Sequence, residues 1–423
     1  MLPLVPAAAI PFLFLHRSYQ GFAPHVGPAQ VFSSDIAIAA TVAAALIAGI
    51  RQGWDPLRRA PVLWAFAVAL FVLVVASCFW RPLDHTQTHL VTAAKLIEYA
   101  LLAPSVVLLL RRRLDVDRFL WVFVLWNVAA AAWGTLQFLG LVNEFEGKRP
   151  AQREVSFIGI HDFAGFSGAT LAIGLAGIAL GNRSRLVRVA TASGIVGSIL
   201  PASVFAYSGV VVAAILAAAV GRRAGTLTAR RAGALVAILA VVGAGVYELR
   251  GSDVSNFLSF LGHSKPTASQ SENIQTGAQH VLLAYIGVRI WLDHPILGVG
   301  LDRSSDDAHY EPYIAAAKRR FPHQAPSAFP SPQHRWGVQN LWIQALADTG
   351  VVGLALLVGT FAAAFVYAVR ALRPAAFLAL ALIGWLAVAT ATWNALGIIA
   401  GNPMEALTWL GFGLAAAVGT LAA

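Results

Sequence analysis

The sequence predicts an all-α polytopic membrane protein of about twelve transmembrane helices, with one large, partly helical loop between the ninth and the tenth. Three observations carry that prediction. Of 423 residues, 58% are hydrophobic and only 12% are charged, about half the charged share of a soluble domain. Many apolar runs approach or exceed the roughly 20 residues that cross a bilayer. Between Arg250 and Gly350 that pattern gives way to a long hydrophilic stretch holding a single apolar run.

The apolar runs fall near 1–15, 35–50, 60–79, 89–110, 118–140, 158–180, 187–201, 203–220, 232–249, 338–369, 375–395 and 405–422. The chain thus divides into helices one to nine (1–249), the loop (250–337) and helices ten to twelve (338–423). The first run lacks a basic start and a cleavage site, so it is read as a short spanning helix, not a signal peptide. Its helicity is weakened by Pro3, Pro6 and Pro11. Only Leu200, Pro201, Ala202 and Ser203 separate the seventh run from the eighth. The tenth exceeds a minimal span, which predicts a helix that protrudes or tilts.

Alternate connections differ in charge. One set carries Arg51, Arg58, Arg59, Arg111, Arg112, Arg113, Arg118, Arg183, Arg185, Arg188, Arg222, Arg223, Arg230, Arg231, Arg370 and Arg373 against three acids, Asp55, Asp115 and Asp117. The short connections of the other set carry Arg17, Arg81, Lys95, Lys148, Arg149 and Arg153. The positive-inside rule puts the arginine-rich set and both termini in the cytoplasm of a bacterial inner membrane, and the large loop in the periplasm. Topology and anionic lipid headgroups account for most of the formal charge of +10. No soluble basic domain remains to bind nucleic acid. The lone Cys78 excludes an intrachain disulfide and reads as a small buried hydrophobe.

Within the loop, Gly251 to Gly277 reads as polar and irregular. Gly277 to Leu292 is a helix carrying Arg289, with Asp293 four residues on as a possible ion-pair partner. Gly298-Val299-Gly300 is a tight turn; it lacks the Lys-Ser/Thr of a phosphate-binding loop. Ser304 to Arg320 places acids first and bases last, as a helix dipole favours, with Pro312 to kink it or reset its first turn. Phe321 to Pro332, with four prolines, reads as a stiff extended connection.

Arg289 is the leading candidate for chemistry: a guanidinium on an apolar helix beside the membrane suits a phosphate bidentately, and a surface arginine is the alternative. Arg153, Glu154, His161 and Asp162 bring ionisable groups to membrane depth, where such groups face a cavity or one another. Lys95 and Glu98, three apart, either serve a site or neutralise each other. Arg81 adds to a basic rim. His280, His294, His309, His323 and His334 show no metal-ligand spacing on a helix, so no metal and no cofactor is expected.

Three stretches resemble the O-antigen ligase and polymerase superfamily of GT-C type membrane glycosyltransferases. Arg289 to Gly300 is similar to its Arg-x-x-Trp/Leu…Pro-x-x-Gly-x-Gly element. Gln339 to Gly353 is similar to His-Asn-x-x-Leu-Gln-x-x-Ala-Glu-x-Gly-x-x-Gly. Arg153, Phe157 and Asp162 to Ala164 look like its Arg…Phe…Asn-x-Phe-Ala element. The resemblance implies transfer of a glycan from undecaprenyl diphosphate to lipid A-core (a ligase) or to another lipid-linked glycan (a polymerase), inverting and metal-independent. It implies a diphosphate held by Arg289 and Arg153, with Arg81, Lys95, Arg335 and Asn340 beside it. It also implies a histidine as base. Here that position is Gln339, so either His334, five residues upstream, supplies the base, or the branch uses another group, or catalysis is lost. The family's second arginine has no counterpart in Ala206-Tyr207-Ser208-Gly209. Two further readings stand beside this one. A lipid-linked glycan transporter predicts broken helices paired across two halves. A catalytically silent glycan-binding protein predicts carrier binding without turnover.

Overall fold

The computed structural model describes residues 1–20, 23–27, 29–80, 86–143, 149–258, 276–334, 336–398 and 400–421. Each of the twelve apolar runs is helical. α1 (Val5–Leu13) keeps Pro11 inside it and follows a 3-10 turn at Leu2–Leu4. A two-residue hairpin, β1 (His25–Val26) with β2 (Ala29–Gln30), precedes α2 (Ser33–Gln52). The Asp35 carboxylate starts α2 by accepting from the Phe32 N–H at 2.7 Å. Next come α3 (Asp55–Arg58), α4 (Pro61–Ser77), α5 (Thr86–Ala100), α6 (Leu102–Leu109) and α7 (Arg113–Phe138). α8 (Ile160–Leu180) closes on the left-handed Gly181. α9 (Arg185–Ile199) and α10 (Val204–Arg223) are indeed separate: Ser203 caps α10, its Oγ accepting from the Ala206 N–H at 3.3 Å. The remainder is α11 (Ala229–Leu258), α12 (Thr276–Asp293), α13 (Asp307–Arg320), α14 (Leu341–Arg370), α15 (Ala376–Thr392) and α16 (Pro403–Leu421).

Among the described residues, eight helical stretches are long and apolar enough to cross a bilayer: Ser33–Gln52, Gln87–Leu109, Arg113–Phe138, Ile160–Leu180, Val204–Arg223, Ala229–Gly251, Leu341–Arg370 and Ala376–Ala395. The protein is an all-α, multi-pass membrane protein. α1, α4 and α9, at 9, 17 and 15 residues, fall short of the ~20 residues of a full crossing.

α8 is the axis of the bundle, almost entirely enclosed by α9, α10 and α15. Small residues let the backbones approach, the usual basis of packing in lipid. At Gly194 a Cβ would lie 2.7 Å from the Leu171 Cα, and at Gly209 2.6 Å from the Val388 Cα. Phe123 stacks on Trp385 at 4.2 Å and meets Phe166 at 4.4 Å, filling the centre. One polar thread crosses this core: Ser167 donates to Asn127 Oδ1 (2.8 Å), and Asn127 donates to Ser193 (3.1 Å).

Three expectations are corrected. Residues 251–258 are not irregular but continue α11, while 259–275 lie outside the described residues. The helix expected from Ser304 begins at Asp307, after a separate 3-10 turn at Arg303–Ser305, and takes Pro312 into its interior. The long tenth run is not one straight helix. α14 is interrupted at Gly350, whose φ of 64° and ψ of −167° belong to no helix.

The loop has its own apolar core. Leu282, Leu283, Ile286 and Ile290 of α12 pack with Tyr310 and Ala317 of α13, and with Val299, Phe329 and Ala347. This small core seats α12 and α13 on the start of α14.

Candidate active site at the loop end of the bundle

Four connections meet at one end. The His16 N–H donates to the Phe157 carbonyl (2.9 Å), and the Glu154 N–H to the Leu200 carbonyl (2.9 Å). Arg17 donates to the Gly401 carbonyl (3.1 Å) and to that of Ala400; Tyr99 also donates to Gly401. Asp162 accepts from the Met404 N–H at 2.8 Å and so starts α16. Arg153 donates through Nε to the Pro201 carbonyl at 2.9 Å, which ties the stretch before α8 to the turn between α9 and α10.

The two loop stretches that stood out in the sequence form one unit. At the Gly350 interruption, α14 leaves four backbone groups without helical partners, and Pro295–Gly300 supplies them. The N–H groups of Val299 and Gly300 donate to the carbonyls of Ala347 (3.0 Å) and Asp348 (2.7 Å). Those of Val351 and Val352 donate to Pro295 (2.9 Å) and Ile296 (3.3 Å). Gly298 and Gly300 adopt φ of 67° and 112°, so the expected tight turn is present. The interruption is thus filled by protein backbone, unlike the paired discontinuous helices that line a transporter's substrate site.

The first half of α14 spends its polar face on positioning. Asn340 caps the helix, its Oδ1 accepting from Trp342 and Ile343 (3.1 Å each), while its Nδ2 donates to Asn394 (3.2 Å). One turn on, Gln344 accepts from the Ile398 N–H and donates to Asp348 (3.1 Å). Asp348, wholly buried, accepts from the N–H groups of Asp302 (3.0 Å) and Ser304 (3.1 Å). Spacing of four keeps these three side chains on one face. Burial pushes the Asp302 carboxyl up to about 6; His89 pulls it back and Asp306 adds to the rise.

His280 of α12 reaches Gln339. Its Nδ1 lies 3.0 Å from the Gln339 carbonyl, and the Phe205 ring of α10 meets it edge-on at 6.3 Å. Burial lowers the His280 pKa below the usual imidazole value; the Gln339 bond opposes this, and the positive charge of Arg250 adds to the fall. Arg250 therefore lies close by.

The other expected residues fall in different places. Arg289 is exposed, its guanidinium over the Tyr285 ring and bonded to that hydroxyl at 3.3 Å. It does not pair with Asp293, which accepts instead from the Tyr313 hydroxyl of α13. Nine residues of α-helix put Arg289 and His280 on opposite faces of α12, at about 100° per residue. Lys95 is engaged by two carboxylates, Asp35 and Glu98. His334 is exposed on a turn closed by Ser331, its ring stacked on Trp336 at 6.1 Å. Arg81 and Arg335 lie outside the described residues. Among the described residues, no three His, Cys, Asp or Glu side chains are grouped to hold a metal ion.

No protein-family model and no curated protein matches this sequence.

Three residues escaped the reading of the sequence as parts of a site. His280 gave no signal beyond being a histidine at the start of an apolar helix, and Arg250 served only as a boundary. Arg303 is fully buried, with Nη2 donating to the Cys78 carbonyl at 3.2 Å and with Nε and Nη1 unpartnered. A buried arginine inside a polar loop has no local signature.

Proposed function

We propose that the protein is a ligase-like membrane glycan transferase. It moves a glycan from undecaprenyl diphosphate to a hydroxyl of lipid A-core, at the periplasmic face of a bacterial inner membrane. The observation that carries this reading is the interlock of Pro295–Gly300 with Ala347–Val352. Two of the three stretches that resemble the superfamily thereby act as one unit.

The chemistry asks for fixed cations where the diphosphate leaves, and these stabilise developing charge most in a water-poor site. Arg250, whose charge acts on His280, and Arg153, bonded to the Pro201 carbonyl, are the cations offered for that role, and Arg289 offers a further one from the outward face of α12. The carrier's prenyl chain needs apolar surface. A groove of about 560 Å³ between α4, α5 and α6, lined by Phe71, Ile97, Leu101 and Trp409, suits it. Asn340 and Gln344 hold the start of α14 against the Asn394–Ile398 segment.

The test is turnover of purified, reconstituted protein on undecaprenyl-diphosphate-linked oligosaccharide, with and without lipid A-core, in the presence of chelator. Product that requires lipid A-core supports the ligase. Elongated carrier-linked chains without it make the protein a polymerase. Carrier binding without product under either condition removes the enzyme reading and leaves a binding protein or transporter.

A further inference from the structure

Within the transferase reading, on which this inference rests, we propose that His280 Nε2 is the general base that takes the proton of the acceptor hydroxyl. A carbonyl oxygen can only accept, so the 3.0 Å contact between Nδ1 and the Gln339 carbonyl requires a proton on Nδ1. In the neutral ring that leaves the lone pair on Nε2. The ring is half-buried, yet Nε2 is not among the buried atoms and has no partner among the described residues. The tautomer and the orientation are therefore set by main chain, and the basic nitrogen is left open.

The surroundings keep the imidazole neutral. α11 presents Arg250, whose positive charge disfavours a second proton on the ring. α10 presents Phe205, and the start of α14 presents the backbone of Gln339; neither adds a negative charge. Among the described residues no carboxylate pairs with the ring, in contrast to His89, which lies 3.6 Å from Asp306. His334, the residue the sequence offered as base, is exposed on its turn, its ring held only by stacking on Trp336. His280 also fits the chemistry that Gln339 cannot perform, since an amide has no basic nitrogen near neutral pH.

The step balances. As the acceptor oxygen forms its bond to the anomeric carbon, the O–H proton passes to His280 Nε2. The anomeric C–O bond to the diphosphate breaks, and its electron pair leaves with the diphosphate. The imidazolium then returns its proton to water, which Arg250 favours.

The experiment compares wild type, His280→Gln, His334→Ala and His323→Ala in the reconstituted assay with the same carrier-linked oligosaccharide and lipid A-core. His323 is an exposed loop residue outside the site. The expected result is a fall in kcat of about 10²–10⁴ for His280→Gln with KM little changed, and wild-type rates for His323→Ala. The wild-type profile of kcat against pH should show an acid limb below about 6.5, absent in His280→Gln. Wild-type turnover with His280→Gln within twofold overturns the assignment and leaves the transferase reading standing. So does a wild-type profile whose acid limb lies above 7, a measurement that does not depend on any variant folding. Loss confined to His334→Ala overturns it in favour of that residue. No wild-type turnover with any acceptor removes the transferase reading itself.

Discussion

Gly298 and Gly350 lock into each other's backbone. A Cβ on Gly298 would fall on the Asp348 carbonyl carbon, and one on Gly350 would fall on the Ile296 carbonyl carbon. Both residues also hold positive φ, at 67° and 64°, where a side chain is strained. Neither position has room for an alternative.

Gly350→Ala and Gly298→Ala are therefore each expected to destabilise the protein by about 3 kcal/mol, from backbone strain together with the loss of bonds at the interruption. Gly337→Ala is the matched control. A Cβ there meets only Ser305 Cβ at 3.6 Å, so a change within about 0.5 kcal/mol is expected. Thermal unfolding in one detergent decides the matter; equal midpoints for all three would refute the lock.

Asp348 is a hub of acceptors, and Asp348→Ala leaves the N–H groups of Asp302 and Ser304 and the Gln344 amide without partners. Buried donors left unpaired cost about 1–3 kcal/mol each. Hydrogen exchange should quicken at Asp302 and Ser304 while α8 stays protected. Uniform quickening would mean that the whole bundle, not the loop junction, depends on this carboxyl.

Asp302 sets a pH dependence. Burial pushes its carboxyl up to about 6 in the fold, from an ordinary value of 3.8. Between those values the folded protein keeps a proton that the unfolded chain has released, so stability falls as pH rises from about 4 to 6. The loss is complete above 6, with a ceiling of about 3 kcal/mol. Asp302→Asn, which tolerates the left-handed φ of 58° as well as Asp does, should remove that slope. Its unfolding midpoint should exceed wild type at pH 7.5 and meet it near pH 4. A wild-type midpoint that rises over the same window contradicts the assignment.

Arg289→Ala removes an exposed contact with Tyr285, so stability should change by less than about 1 kcal/mol. Because Arg289 faces away from His280, turnover should fall less than it does in Arg250→Ala. The reverse order would put the donor's diphosphate on the outward face of α12.

The sequence revealed the bundle because each spanning helix must be apolar along its whole length, a demand that composition records directly. Two loop features were legible for a related reason. Gly298 and Gly300 announce a turn, and the apolar run from Gly277 to Leu292 announces α12. The interruption at Gly350 was hidden because hydropathy is blind to φ and ψ. The Arg289–Asp293 pair failed because local spacing knows nothing of Tyr313, which arrives from a different helix and takes the carboxylate. His280 was visible only as one of six loop histidines. What distinguishes it is a main-chain carbonyl fifty-nine positions away.

The turn at Pro295–Gly300 is synthesised before the helix it completes. Until Ala347–Val352 emerges, its two N–H groups and two carbonyls have only water for partners, and α14 cannot take its final course until they are met. Biogenesis therefore has an order built into it: the helices before the loop are made first, the loop waits open, and α14 closes it on arrival. A chain stopped short of Leu341 would carry every residue of α12 and α13 and still lack the piece that shuts the loop.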